Sequence, residues 1–389
     1  VLALRLARGA HPLVQLRRLL VAAASAGTGF LLLCTLGYAM GHPEASGPAV
    51  LRLAWCLAPI AATVYFAVAV ARTDPATRPR TGLSAVGLGP AKLSVLAAIS
   101  TAVACTLGSM VALLFFLHLR GDLTGLPFDG AAAELLAADT PLPLAAALTL
   151  LALVPLAASL ASALVLRPRP AKPGAEQERE DPERPDAPAT APNGLPWGIA
   201  LLAAGLAVET YASRAGGASG PAMPGGLTGG PAGVLAGWAL TAVGLAVAGP
   251  GLTHLCGRLL QSVRPGAMRL LAGRALQEEA RRIGRPLGVL CAVASAAYAA
   301  LTLYAGARPD VGPLTTLGSL LVVGCAVLTL ATAAVEAKHE RSDTTAALLQ
   351  LGAPMTLLRG SAALRAGALA AVFGPLTWIV AELAALPLA

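Results

Sequence analysis

Long apolar stretches alternate with short polar ones along the chain, and the apolar stretches set its architecture. Nine of them run near residues 19–40, 50–71, 93–117, 142–166, 196–213, 232–256, 286–306, 314–335 and 361–384, with few charges inside. A helix of about 20 apolar residues crosses about 30 Å of hydrocarbon, so each stretch predicts a membrane span. None shows the strict alternation of a barrel strand, and lipid supplies no water to satisfy an open strand edge. The pattern predicts an all-α polytopic membrane protein of about nine to ten transmembrane helices. The first stretch is too long and too well flanked for a cleaved signal peptide, and no small-residue cleavage site follows it.

The polar breaks organise these spans. The clearest is RPRPAKPGAEQEREDPERPDAPATAPNG at 167–194, where Pro, Glu, Asp and Arg replace the apolar background. Such a segment buries too little surface to fold alone and reads as a disordered tether. Two other breaks are loops: LRGDLTGLPFDGAAAELLAADTP at 119–141, with room for one short helix, and the Gly/Pro-rich RAGGASGPAMPGGLTGGPAG at 214–233. Neither holds a large external domain.

Composition excludes a water-soluble globule, because 56% of the 389 residues are hydrophobic and only 12% charged. The net charge of +8 is distributed unevenly. Every second break is rich in Arg and Lys: Arg5 to Arg18, Arg72 to Lys92, Arg167 to Arg184, Arg258 to Arg285, and Lys338 to Arg359. The breaks between them keep only Arg52, Arg120, Arg214 and Arg308. By the positive-inside rule the N-terminus is cytoplasmic, and the excess charge is an insertion signal and a contact for anionic membrane lipid. It is not a nucleic-acid footprint.

A search for repeats isolates one short feature. A shift of 263 positions lays Thr81 on Thr344, Leu88 on Leu351 and Gly89 on Gly352, each just ahead of a long apolar run. In both copies a basic, partly amphipathic segment comes first, LARGAHPLVQLRRLL or LLAGRALQEEARRIGRPL, which is expected to lie along the membrane surface. Two spans then follow before the Leu-Gly pair. Both copies run the same way, so the repeat is parallel, not inverted. Locally, RTGLSAVGL or SDTTAALLQL forms a short helix that Gly89 or Gly352 ends in the left-handed conformation. The next helix restarts at Pro90 or Pro354, whose fixed φ and missing N–H suit a first turn.

At these residues the sequence resembles the FtsX-like, MacB-type permease family, the membrane subunits of a class of ABC transporters. LLQLGAPMTLLRGSAALRAGALAAVFG at 348–374 looks like that family's coupling corner, and SAVGLGPAKLSVLAAISTAVACTLGS at 84–109 is a looser copy. The resemblance implies two parallel repeats joined by a two-helix insert. Their bounds are 1–166 for the first repeat of four spans, 167–194 for the tether, 195–257 for the insert, and 258–389 for a second repeat of three spans that lacks the last. It implies a permease subunit in the cell membrane that couples hydrolysis by a separate ABC ATPase subunit to export or extraction of a substrate, with a second permease copy as a further partner. The ATPase-coupling residues would be Arg80, Thr81, Leu88, Gly89, Arg341, Asp343, Thr344, Leu351 and Gly352. Family members often carry an acidic residue about two turns before the Gly, where this chain has Thr81 and Thr344; the grip on the ATPase then falls to Asp343, Arg341 or Arg80.

Other chemistries leave little trace. No GxxxxGK[ST] phosphate loop occurs, so the chain has no ATP site of the P-loop kind and no enzyme activity or cofactor is expected of it. The six cysteines (Cys34, Cys56, Cys105, Cys256, Cys291, Cys325) lack CxxC spacing and read as small packing residues, and the five His are too scattered for a metal site. An ion-coupled secondary transporter is the alternative class. It needs an ionisable group deep in the membrane, and Glu209, Glu336 and Glu382 all fall near span ends. Arg365 lies six residues past Arg359, about 9 Å deeper along a helix, where it either snorkels to the headgroups or faces lipid or an anionic substrate. A membrane-embedded transferase would need clustered carboxylates, and Asp122, Asp129, Glu134 and Asp139 show no metal-binding spacing.

Overall fold

The computed structural model describes residues 12–74, 90–123, 127, 129–167, 191–215, 232–262, 266–304 and 312–386. Its regular elements there are all α-helices: α1 (Pro12–Gly41), α2 (Ser46–Trp55), α3 (Leu57–Thr73), α4 (Pro90–Arg120), α5 (Leu144–Val165), α6 (Leu195–Ala215), α7 (Ala232–Ser262), α8 (Ala267–Tyr304), α9 (Pro313–Glu340), α10 (Ser342–Gln350) and α11 (Met355–Ala385). Among the described residues nine helical segments are long and apolar enough to cross a membrane, with α2 and α3 together counting as one. Each overlaps one of the nine predicted stretches. The chain is a multi-pass membrane protein in its helix content and hydropathy. The tether at 167–194 lies almost wholly outside the described residues.

Two details differ from the sequence expectation. The basic segment ahead of the seventh span is no separate surface helix, because α8 carries it and the span in one unbroken run, with Pro286 inside. The reason is that its apolar stripe, Ala272, Leu276 and Ala280, is buried against protein. Among the described residues of the 119–141 loop, 129–139 form successive turns in place of a short helix. Gly121 and Gly130, at φ +93° and +69°, reverse the chain there, and the ring N–H of His118 reaches Pro127 O at 3.0 Å.

The chain divides into two compact units, and the division passes through α9 between Thr329 and Leu330. In the first unit α1 packs on α3, α4 and α5. Val21, Ala24, Phe66, Ala67, Cys105, Ala158 and Cys325 share one buried cluster, and Leu31, Leu32, Cys56, Ile60 and Val154 share another. Polar side chains join these helices in places where hydrocarbon would leave them unsatisfied. Ser25 Oγ donates to Cys105 O at 2.9 Å, Thr28 and Thr63 hydroxyls pair at 2.9 Å, and Ser109 Oγ donates to Leu151 O at 3.0 Å. Such bonds average about 0.6 kcal/mol each, so packing carries most of the stability. Near the start of α1, Arg18 pairs with the buried Asp74 at 2.5 Å, tying α1 to the end of α3.

The second unit is built around α7, which meets α6 on one side and α8 on the other. Both contacts are backbone on backbone. A Cβ placed on Gly244 would lie 2.6 Å from Leu202 N on α6, and one placed on Gly257 would lie 2.7 Å from Gly273 O on α8. Small residues allow this approach, and van der Waals contact between the two backbones replaces the hydrophobic drive that lipid abolishes. Glu209 is wholly buried inside the α6–α7 pair. Thr241 Oγ1 donates to its Oε1 at 3.1 Å, while its Oε2 has no hydrogen-bond partner among the described residues. Helix α11 docks on α8, where Ser295 Oγ donates to Thr377 O at 3.0 Å and Leu245, Cys291, Phe373 and Val380 form the core.

This packing makes a specific prediction. Gly244→Leu should force α6 and α7 apart and lower stability by about 1–3 kcal/mol, read as a lower midpoint of thermal unfolding in detergent. Gly367→Leu, at a helical glycine with open space around it, should leave the midpoint within error.

Candidate functional site

The Leu-Gly corner at 341–355 closes a short helix in a way its sequence dictates. Three apolar or neutral residues, Leu349, Gln350 and Leu351, bring α10 to its end, and Gly352 takes the left-handed conformation at φ +83°. Ala353 N–H donates to Leu348 O and Gly352 N–H to Leu349 O, both at 3.0 Å. These are the paired bonds of a Schellman cap, which satisfies two carbonyls that the helix end would leave open. Pro354, extended at φ −69° and ψ 141°, stands at the cap of α11, one residue earlier than a first-turn position. Leu357 N–H donates back to Pro354 O at 3.0 Å. Each bond is local, so the turn is a rigid corner between α10 and α11.

The corner leaves apolar side chains uncovered by the rest of the protein. Leu351 is 84% exposed, more than any other large apolar side chain among the described residues, and Leu349 and Met355 flank it at 39% and 51%. A leucine left this open at a turn packs against nothing in the fold, and covering it with a partner from water would be worth about 1.5–3 kcal/mol.

Behind the corner lies an ion cluster. Arg341, at the cap of α10, places Nη1 2.5 Å from Glu279 Oε1 on α8. Arg365 on α11 places its Nη1 3.7 Å from the same oxygen. Glu279 is 11% exposed at its side chain and Arg365 17%, so the carboxylate is a largely buried charge neutralised by two cations. One turn along α8, Arg282 pairs with Glu340 at the end of α9. The end of α9, the cap of α10 and α11 thus each send one side chain to a single turn of α8. Removing one partner of a buried pair typically costs about 3–5 kcal/mol, since it strands the other charge; here a second cation remains.

The structure brings together some of the residues singled out from sequence and leaves others apart. Arg341, Thr344, Leu351 and Gly352 all belong to this corner, with Thr344 exposed. Asp343 is in α10, but its side chain lies outside the described residues, as do Arg80, Thr81, Leu88 and Gly89 of the first copy. Arg365, expected either to snorkel to the headgroups or to face lipid or an anionic substrate, stands 3.7 Å from Glu279. Sequence reasoning missed Glu279 itself. The signal is its position: it falls on the helical stripe of Ala272, Leu276 and Ala280, and an acidic residue on a buried stripe asks for a partner. The six cysteines are all buried and free.

No family model, curated protein or solved structure matches the chain.

The cap predicts its own sensitivity. Gly352→Ala should destabilise the corner by about 1–2 kcal/mol, the cost of a left-handed conformation for a residue with a Cβ, and faster amide exchange at residues 352 and 353 would register it.

Proposed function

We propose that this chain is the permease subunit of an ABC transporter of the FtsX-like type, working with a separate ATPase subunit at the cytoplasmic membrane. The observation that carries the reading is Leu351: a fully presented leucine on a rigid corner whose α10 is ion-paired to α8 and whose Gly-Pro turn leads straight into α11. A partner that gripped this tip would move a corner, and a rigid corner passes displacement to the attached span. With the basic breaks inside, the corner faces the cytoplasm, where an ATPase would meet it.

Two pairs of contacts support the parallel-repeat part of the reading. Arg18 to Asp74 joins the first and second spans of one set, and Arg282 to Glu340 joins the corresponding helices of the other. Ser25 donates to a backbone carbonyl of α4, and Ser295 does the same to α11. The Arg and Ser are roughly two turns apart in α1 and nearly four in α8, so the two sets share a contact plan without a common register. The α6–α7 pair stands between them in the chain as the two-helix insert. A hydrophobic or amphipathic substrate drawn from the inner leaflet fits the apolar spans and short loops, and a second permease copy completes the assembly.

An ion-coupled carrier is the second reading, and the buried Glu209 favours it. Against it, the carboxylate's surroundings are filled: Gly237 comes so close that a Cβ there would meet Glu209 Cγ. Loss of ion-driven uptake in Glu209→Gln would move the assignment to that class.

Co-purification tests the main reading. The chain should bring down a P-loop ATPase, and Leu351→Glu should lower its recovery about tenfold, equivalent to about 1.4 kcal/mol. Leu135→Glu, at a leucine 77% exposed on the 119–141 loop, should leave recovery unchanged. Absence of any P-loop ATPase, with no ATP-dependent activity on reconstitution, would end the ABC assignment.

A further inference from the structure

Glu279 is the residue in the second unit whose chemistry neither the sequence motif nor the corner's own geometry accounts for. One of its oxygens, Oε1, faces two guanidinium groups on two different elements, Arg341 at 2.5 Å and Arg365 at 3.7 Å. A carboxylate committed to a fixed structural pair needs only one. The other charged neighbours do not compete for this oxygen in the same way: Arg282 is engaged by Glu340, and Glu278 is exposed on the next position of α8.

We propose that Glu279 is a latch with two partners. In the state seen here it holds α10 through Arg341. When the corner is pulled away from α8, the carboxylate passes to Arg365 and keeps α8 tied to α11. The idea rests on the corner being the part that a partner displaces, and it adds which group lets go and which takes over.

Three features of the site carry this. The distances are graded, with Arg341 in close ion-pair contact and Arg365 farther off but within reach of a side-chain adjustment. Exposure is graded the same way: Arg341 is 30% exposed and Arg365 17%, so the first partner is the one that can leave towards water. Charge compensation is continuous, because Arg365 stays beside Glu279 after Arg341 departs and the buried carboxylate is never left alone. The covalent path agrees, since α10 and α11 meet at the Schellman corner and the arginines stand on either side of it.

The latch can be tested on the chain alone in lipid nanodiscs, so its outcome is independent of whether an ATPase binds. Spin labels at Arg274→Cys on α8, with Ala346→Cys on α10 or Ala362→Cys on α11, report the two links separately; all three sites are exposed and the six endogenous cysteines are buried. Arg341→Gln should broaden the 274 to 346 distance distribution and shift it to longer values, leaving 274 to 362 unchanged. Arg365→Gln should leave both narrow. The Arg341→Gln, Arg365→Gln double variant should broaden both and lower the unfolding midpoint by more than the two single changes together. Glu279→Gln, which takes the carboxylate from both arginines, should broaden both distances as the double variant does. Equal effects of the two single arginine variants, or broadening of both distances by Arg341→Gln alone, would show a fixed structural cluster and overturn the latch.

Discussion

A backbone amide that enters hydrocarbon must find its partner inside the protein, and this constraint governs the whole structure. It makes every described element a helix. It also removes the ordinary hydrophobic drive between helices, because lipid is as apolar as a leucine side chain. What remains is close contact, and the second unit shows how the sequence provides it: glycines on both faces of α7 bring α6 and α8 to backbone distance. The first unit uses the other available device, hydroxyls on Ser25, Thr28 and Ser109 that reach across to neighbouring helices.

The same constraint gives charges their meaning. An ion inside such a bundle is tolerated only when it is paired, so the places where pairs occur mark where helices must be held at a set position. Asp74 with Arg18, and Glu340 with Arg282, each fasten one span to the next near the basic ends of the helices. Glu279 differs in serving two cations, and it lies where the short helix α10, the long helix α8 and the start of α11 come together. Electrostatics therefore ties α8 to the start of α10, the short helix that ends at Leu351.

Much of this was legible in the sequence, for physical reasons. Span number and position follow from apolar length, since hydrocarbon thickness fixes how many residues a helix needs. The turn at Gly352 follows from residue chemistry, since only glycine takes φ +83° without strain. The continuity of α8 was hidden, because the choice between a membrane surface and a protein surface as partner for a buried stripe depends on which helix lies beside it. The partners of Glu279 were hidden for the same reason: they are about 60 to 90 residues away in the chain, and its place on the buried stripe asks for a partner without naming one. The first Leu-Gly corner and its residues lie outside the described region, so the comparison between copies rests on the helices around them.

The central claim is that Leu351 is the point where an ATPase takes hold. A photoreactive amino acid placed at position 351 in the intact membrane would test it most directly. The account predicts a single major protein adduct whose partner carries a P-loop, formed at 351 and lost when the reactive group is moved to 135. An adduct pattern at 351 made only of lipid would place the leucine in the bilayer surface and contradict the account.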